Sequence, residues 1–209
     1  LAYEIVNLPG NITIASREGT VVLLEDLIAE AEKRARLIVE EKNPDLGEEA
    51  KADIARKVAL GALKYSLLSR DNTKVITFDW ESAMDVNGQA APYIQYAFVR
   101  ANSILKKVHF SIPENVQSGY TLSSAEIELI DHLSRFPQEV EKSAREMRPM
   151  LIATYAYELA KSFSNFYNLC PVLNAEEDVR AFRLVLTAAS RQVIQNSLGL
   201  LGIHVPEVM

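Results

Sequence analysis

Apolar and polar positions change period along this chain. Through residue 22 they alternate in short runs: EIVNL, the turn chemistry of PGN, then ITI and TVVLL around the polar loop ASREGT. Such runs predict short strands and turns. From Leu24 the period becomes helical. Leu24, Leu27, Ile28, Ala31, Ala35, Ile38 and Val39 recur three and four residues apart with charges between them, which predicts an amphipathic helix. NPDLG (43–47) stops it, because Pro44 disfavours helical geometry at Asn43. A second helix places Ile54, Val58, Ala59, Ala62 and Leu63 on one face and ends at RDNTK (70–74). VITFDW (75–80) is either a short strand or an extended connector, and VNGQAAP (86–92) is a loop.

The second half predicts helices throughout. One runs from about Pro92 to Lys107, followed by a long loop at 109–121. Ser123 with Glu126 three residues on fits a capping box. Pro137 is expected to start a separate helix that ends near Arg148. Pro149 fits N1 of a long helix, MLIATYAYELAKSFSNFYNL, and the last helix spans Glu176 to Leu198 before a glycine stop. The whole pattern predicts a mainly α fold: a helical bundle behind a small β-containing N-terminal segment.

Composition narrows the possible chemistry. Of 209 residues, 48% are hydrophobic and 24% charged, enough for a substantial core. The single cysteine, Cys170, has no internal partner, which fits a reducing cytoplasm. No apolar run reaches the ~20 residues of a membrane span. The opening LAYEIVNLPG lacks a signal peptide's basic and apolar regions. It starts in strand-like text without methionine, and is expected to be the cut end of a longer protein. Net charge is −6, but residues 1–92 hold 11 Lys/Arg against 16 Asp/Glu, and residues 93–209 hold 11 against 12. The balance argues against a wholly basic nucleic-acid binder and leaves room for a basic face in the second half. Cys170, His109, His132 and His204 have no metal-ligand spacing, so no metal is expected. Phosphate-binding glycine motifs and a nucleophile elbow are absent, and carboxylates such as those of EEKNPDLGEE fall on solvated faces. No self-sufficient active site is expected, and neither a membrane nor DNA is an expected partner.

The stretch APYIQYAFVR (91–100) poses the sharpest question. Tyr93, Tyr96 and Arg100 fall at i, i+3 and i+7 and share one helical face. Two rings and a guanidinium on one stripe serve equally as packing or as a surface for unstacked nucleic-acid bases.

Five stretches in register resemble the C-terminal part of arginyl-tRNA synthetases, which are class I aminoacyl-tRNA synthetases. ASREGTVVLLEDLI (15–28) is similar to the family's signature loop, carrying Ser16, Arg17 and Gly19, with Ile14 and Ala15 where Met and Ser are common. VALGALKYSLLSR (58–70) resembles its Gly-Ala-x-Lys-Tyr helix. FDWESAMDVNGQAAPYIQYAFVR (78–100) is the most specific match, to Phe-Asp-Trp followed by Gly-x-x-x-Pro-Tyr-x-Gln-Tyr-x-x-x-Arg. PMLIATYAYELAKSFSNFYNLCPVL (149–173) resembles Tyr-x-x-x-Leu-Ala-x-x-Phe-x-x-Phe-Tyr, and SLGLLGIHVPEVM resembles the family's ending, with Val208 in place of arginine.

The resemblance implies a division into a remnant of the catalytic domain (1–22), connecting helices (23–85) and an all-α anticodon-binding domain (86–209). It implies that Ser16, Arg17 and Gly19 belong to a loop that closes over ATP. Tyr93, Tyr96, Arg100, Tyr167 and Met209 are the implied anticodon contacts, with a middle-base cytosine as the main feature read. Tyr155, Tyr157, Phe163 and Phe166 are expected in packing roles, and Gln95 as a hydrogen-bonding packing residue. Lys51, Arg56, Lys57 and Lys64 either meet the tRNA or are plain solvated surface. The parent enzyme is expected to use ATP with Mg2+ to attach arginine to its tRNA. This portion, inactive alone, binds no cofactor and acts as a cytoplasmic monomer whose partner is arginine tRNA. The alternatives are the corresponding region of the cysteine or methionine enzyme, and a helical protein-interaction module with no RNA role.

Overall fold

The upstream helical period folds into two paired helices, α1 (Leu24–Lys42) and α2 (Glu48–Leu68). The computed structural model describes residues 4–8, 12–13, 23–108, 112 and 116–209. Ala31, Ala35 and Val39, one stripe of α1, are buried in one cluster with Ile54, Ala55, Val58 and Ala59 of α2. Leu24, expected on that stripe, is 64% exposed. Ser16, Arg17 and Gly19 of the signature loop lie outside the described residues.

The β content is small. β1 (Val6–Leu8) pairs antiparallel with β2 (Ile12–Thr13) and parallel with β3 (Ile76–Thr77). The VITFDW segment is therefore a strand, and it leads into the short helix α3 (Trp80–Ala83). Asp79 caps α3 by accepting from the Ser82 N–H at 2.8 Å. Phe78 and Ala83 complete the α1–α2 cluster.

A second, larger cluster fills the bundle of α4 (Ala91–Lys106), α5 (Ser124–Glu146), α6 (Met150–Leu169) and α7 (Glu177–Leu200). Ile94, Leu129, Leu159, Phe163, Phe166, Leu184 and Ile194 are fully buried in it. Each such side chain contributes roughly 1.5–3 kcal/mol over leaving it exposed. α2 joins the two clusters: Val58 and Ala59 belong to the first, and Tyr65 belongs to the second. The Tyr65 hydroxyl donates to the Ala153 carbonyl of α6 at 3.0 Å.

Pro137 does not start a helix. It lies inside α5, which runs unbroken from Ser124 to Glu146. A proline there removes one backbone bond and strains the preceding turn. α5 packs against α6 around this point. The Tyr155 hydroxyl donates to the carbonyl of His132 at 2.9 Å, and its ring lies 5.6 Å from that of Phe136.

The N-terminus of α5 carries the expected capping box. Ser123 Oγ accepts from the Glu126 N–H, while Glu126 Oε2 accepts from the Ser123 N–H at 2.7 Å. Glu126 has a further partner that the box did not announce, Arg183 of α7, at 2.8 Å. The Tyr120 hydroxyl also donates to Glu126, at 2.6 Å. Burial alone would raise the Glu126 carboxyl. Hydrogen bonds from Tyr120, Arg183 and Ser123 outweigh it and bring the group down to about 2.

The end of α7 is a glycine stop, as expected. Gly202 adopts φ +67, and the Ile203 N–H bonds back to Leu198 while that of Gly202 bonds to Gly199. The chain then returns across α2 and α4. Among the described residues, no helix is long and apolar enough to cross a membrane.

Candidate nucleic-acid interface

α4 begins with Pro92 in its first turn, where a missing N–H costs nothing. Its apolar residues Ile94, Ala97, Phe98 and Ala101 are buried and fix its rotation. That rotation leaves Tyr96 on the outside, 41% exposed. Tyr167, near the end of α6, is 39% exposed, because the core takes Phe163 and Phe166 beside it. Arg100 lies between the two rings. Its guanidinium carbon sits 4.7 Å from the Tyr96 centroid and 4.5 Å from that of Tyr167. Among the described residues no carboxylate forms an ion pair with Arg100. Each cation–π contact contributes roughly 0.5–1 kcal/mol at an exposed site. The two rings hold the guanidinium in place and leave its N–H groups unclaimed by any carboxylate of the described residues.

Tyr93 stands apart from this stack. It is half-buried and its ring lies 5.5 Å from that of Tyr157 on α6. Spacing put Tyr93 and Tyr96 on one stripe; the neighbouring helix divides them. Met209 is brought close to Tyr96. Both line a cleft of about 480 Å³ together with Ile38, Lys42, Asn43 and Asn87. Met209 also packs against both hydrophobic clusters, so the last residue is part of the folded body. On the far side, Tyr167 lines a second cleft of about 350 Å³ with Lys107 and Asn168.

Gln95, expected as a packing residue, is fully buried, with its amide donating to the carbonyls of Lys57 (3.1 Å) and His204 (2.8 Å). Tyr155 is buried in the core, as expected. The basic residues of α2 are neither free nor simply solvated. Lys51 donates to the Pro44 carbonyl, Arg56 pairs with Glu32, Lys57 pairs with Asp53, and Lys64 donates to the Gly202 carbonyl. Spacing gave no sign of Lys42, Asn43, Asn87, Lys107 or Asn168 at the clefts. Their approach depends on how helices dock.

A family model described as "DALR anticodon binding domain" matches residues 94–209, more than half of the chain. The chain belongs to the DALR anticodon-binding domain family. A second model, "tRNA synthetases class I (R), catalytic domain", matches residues 9–80. The arginine–tRNA ligase of Thermococcus sibiricus is 44% identical over the full chain, and that of Aliivibrio fischeri 43% identical over 93% of it. The Thermus thermophilus arginyl-tRNA synthetase structure covers 100% of this chain at 36% identity with a TM-score of 0.90. The chain spans about a third of these relatives, 34% of the two ligases and 35% of the Thermus chain. This DALR chain thus corresponds to the C-terminal portion of arginyl-tRNA synthetases. The match over its whole length favours neither the cysteine nor the methionine enzyme, nor a helical module without an RNA role.

The Gly-Ala-x-Lys-Tyr stretch, which lies upstream of the residues that match the DALR model, has a structural reason. A Cβ on Gly61 would meet Gln95 Nε2 at 2.8 Å, Lys64 holds Gly202, and Tyr65 holds α6. The motif is the joint at which α2, α4, α6 and the returning tail meet.

Proposed function

We propose that this chain grips the anticodon arm of arginine tRNA on behalf of an enzyme that attaches arginine with ATP. The observation that carries the reading is the Tyr96–Arg100–Tyr167 stack. Two half-exposed rings flank a guanidinium with no carboxylate partner among the described residues, beside a cleft walled by Met209. Exposed aromatic faces suit unstacked bases, and stacking supplies roughly 1–3 kcal/mol per base. A planar guanidinium presents parallel donors. The family resemblance points to a cytosine at the middle anticodon position, and its adjacent acceptors at O2 and N3 suit such a pair of donors. Tyr93 supports the surface through its pairing with Tyr157, and Met209 supplies an adaptable apolar wall.

The proposed division is a catalytic remnant (1–22), connecting helices (23–85) and the anticodon-binding bundle (86–209). ATP and Mg2+ belong with the parent's catalytic half, where Ser16, Arg17 and Gly19 would take part. The chain works in the cytoplasm as a monomer, in keeping with its single buried free thiol, Cys170. The test is binding to arginine tRNA and to the same tRNA with its middle anticodon base changed, at two salt concentrations. Loss of affinity with the base change, and with Tyr96→Ala, supports the reading. Binding that ignores both, or that does not weaken with salt, refutes it.

A further inference from the structure

The terminal strap, residues 202–209, is tied to α2 and α4 by side chains that donate to its backbone. Lys64 of α2 donates to the Gly202 carbonyl. Gln95 of α4 donates to the His204 carbonyl at 2.8 Å, and Asn102 donates to that of Glu207 at 3.3 Å. Lys106 pairs with the Glu207 carboxylate at 2.9 Å, and this hydrogen bond, then its charge, lowers the Glu207 carboxyl.

Geometry explains why these positions act together. Gln95 and Asn102 are seven residues apart on one helical face, a rise of about 10.5 Å. His204 and Glu207 are three residues apart in a non-helical segment, a separation of at most ~10 Å. The two repeats match, so the strap is held in one register along α4. Gln95 is fully buried and Asn102 is 6% exposed, so unmade bonds at either carry a desolvation penalty. Gly61 completes the device, since a Cβ there would strike the Gln95 amide.

We infer that Gln95 and Asn102 are positioning residues for the RNA interface. Their backbone bonds set the register of the strap and thereby seat Met209 as the wall of the cleft facing Tyr96. The inference rests on the reading of that cleft as an RNA site, and it concerns two residues that touch no part of the cleft themselves.

Asn102→Asp is the cleanest variant. It keeps an acceptor for Arg191, which donates to Asn102 Oδ1 at 3.1 Å, and replaces the donor to the strap with a carboxylate oxygen that repels the Glu207 carbonyl. Gln95→Met is the second, of similar volume. Two measurements are made on the 209-residue chain. The first is release of Met209 by a carboxypeptidase, expected to be about fivefold faster in either variant, the worth of one lost hydrogen bond. The second is affinity for an anticodon stem-loop RNA in a cycle with Met209→Ala. Weaker binding in Asn102→Asp that adds nothing once Met209 is truncated shows action through Met209. Unchanged release, or losses that simply add, overturns the inference. A wild-type chain that binds no stem-loop refutes the functional reading instead, and the release rates then decide the strap on their own.

Discussion

Arg183 and Arg100 both lie against tyrosine rings, in two regions of one bundle. Arg183 is inside: its side chain is 14% exposed, its partner Glu126 is 0% exposed, and a second bond reaches the Pro171 carbonyl. Tyr120 lies 6.0 Å away and gives its hydroxyl to the same carboxylate. Every charge there is spoken for. Arg100 is stacked between two half-exposed rings with no carboxylate among the described residues. The same side-chain types lock two helices together in one place and present unused donors in the other. Burial and a carboxylate make the difference, not the arginine.

The largest effect should come from breaking the closed site. Arg183→Met leaves Glu126 buried without its cation, and loss of one partner of a buried pair costs about 3–5 kcal/mol. Thermal or urea denaturation should show this, with RNA affinity unchanged where the protein remains folded. A comparable loss of RNA affinity at constant stability would reverse the roles assigned to the two regions.

Acid should separate the regions next. Glu126 is held at about 2, below its ordinary value, so its contribution is fully present above the unfolded carboxyl range and is lost as pH falls through about 2. That contribution is on the order of 3 kcal/mol. Stability should therefore decline from about pH 4 to pH 2, and Arg183→Met should flatten the decline. A wild-type stability profile flat across that window would remove Glu126 as its cause.

On the open side, Tyr96→Ala and Tyr167→Ala should each weaken stem-loop RNA binding by roughly 1–3 kcal/mol, with little change in denaturation midpoint. Tyr93→Ala should behave the other way, since its ring packs on Tyr157. Arg100→Lys keeps the charge but loses the planar fork, so it should not restore what Arg100→Ala removes. Full restoration by lysine would reduce the stack to a point charge.

An effect of similar size belongs to the joint between the regions. Gly61→Ala should destabilise by about 1–3 kcal/mol through crowding of Gln95, with some relief if that amide shifts. An unchanged melting midpoint would show that the amide moves aside freely.

Local chemistry was legible because its causes are local. The apolar stripes of α1 and α2, the Ser123–Glu126 box and the glycine stop at Gly202 need only residues within one or two turns. Pro137 marked a helix start by the same rules, yet α5 continues past it and there meets Tyr155 of α6, 18 residues further on along the chain. The stripe Tyr93–Tyr96–Arg100 was legible as one face, and the motifs of the family marked Tyr167 and Met209. Nothing local could tell that Tyr157 takes Tyr93, or that Arg100 sits between Tyr96 and Tyr167. Nor could it pair Glu126 with Arg183, 57 residues away. The sequence by itself determined where helices form, how they end and which faces are apolar, because hydrogen bonding and burial period are written residue by residue. Tertiary structure decided which polar groups are consumed and which stay available, because that depends on what docking brings alongside them.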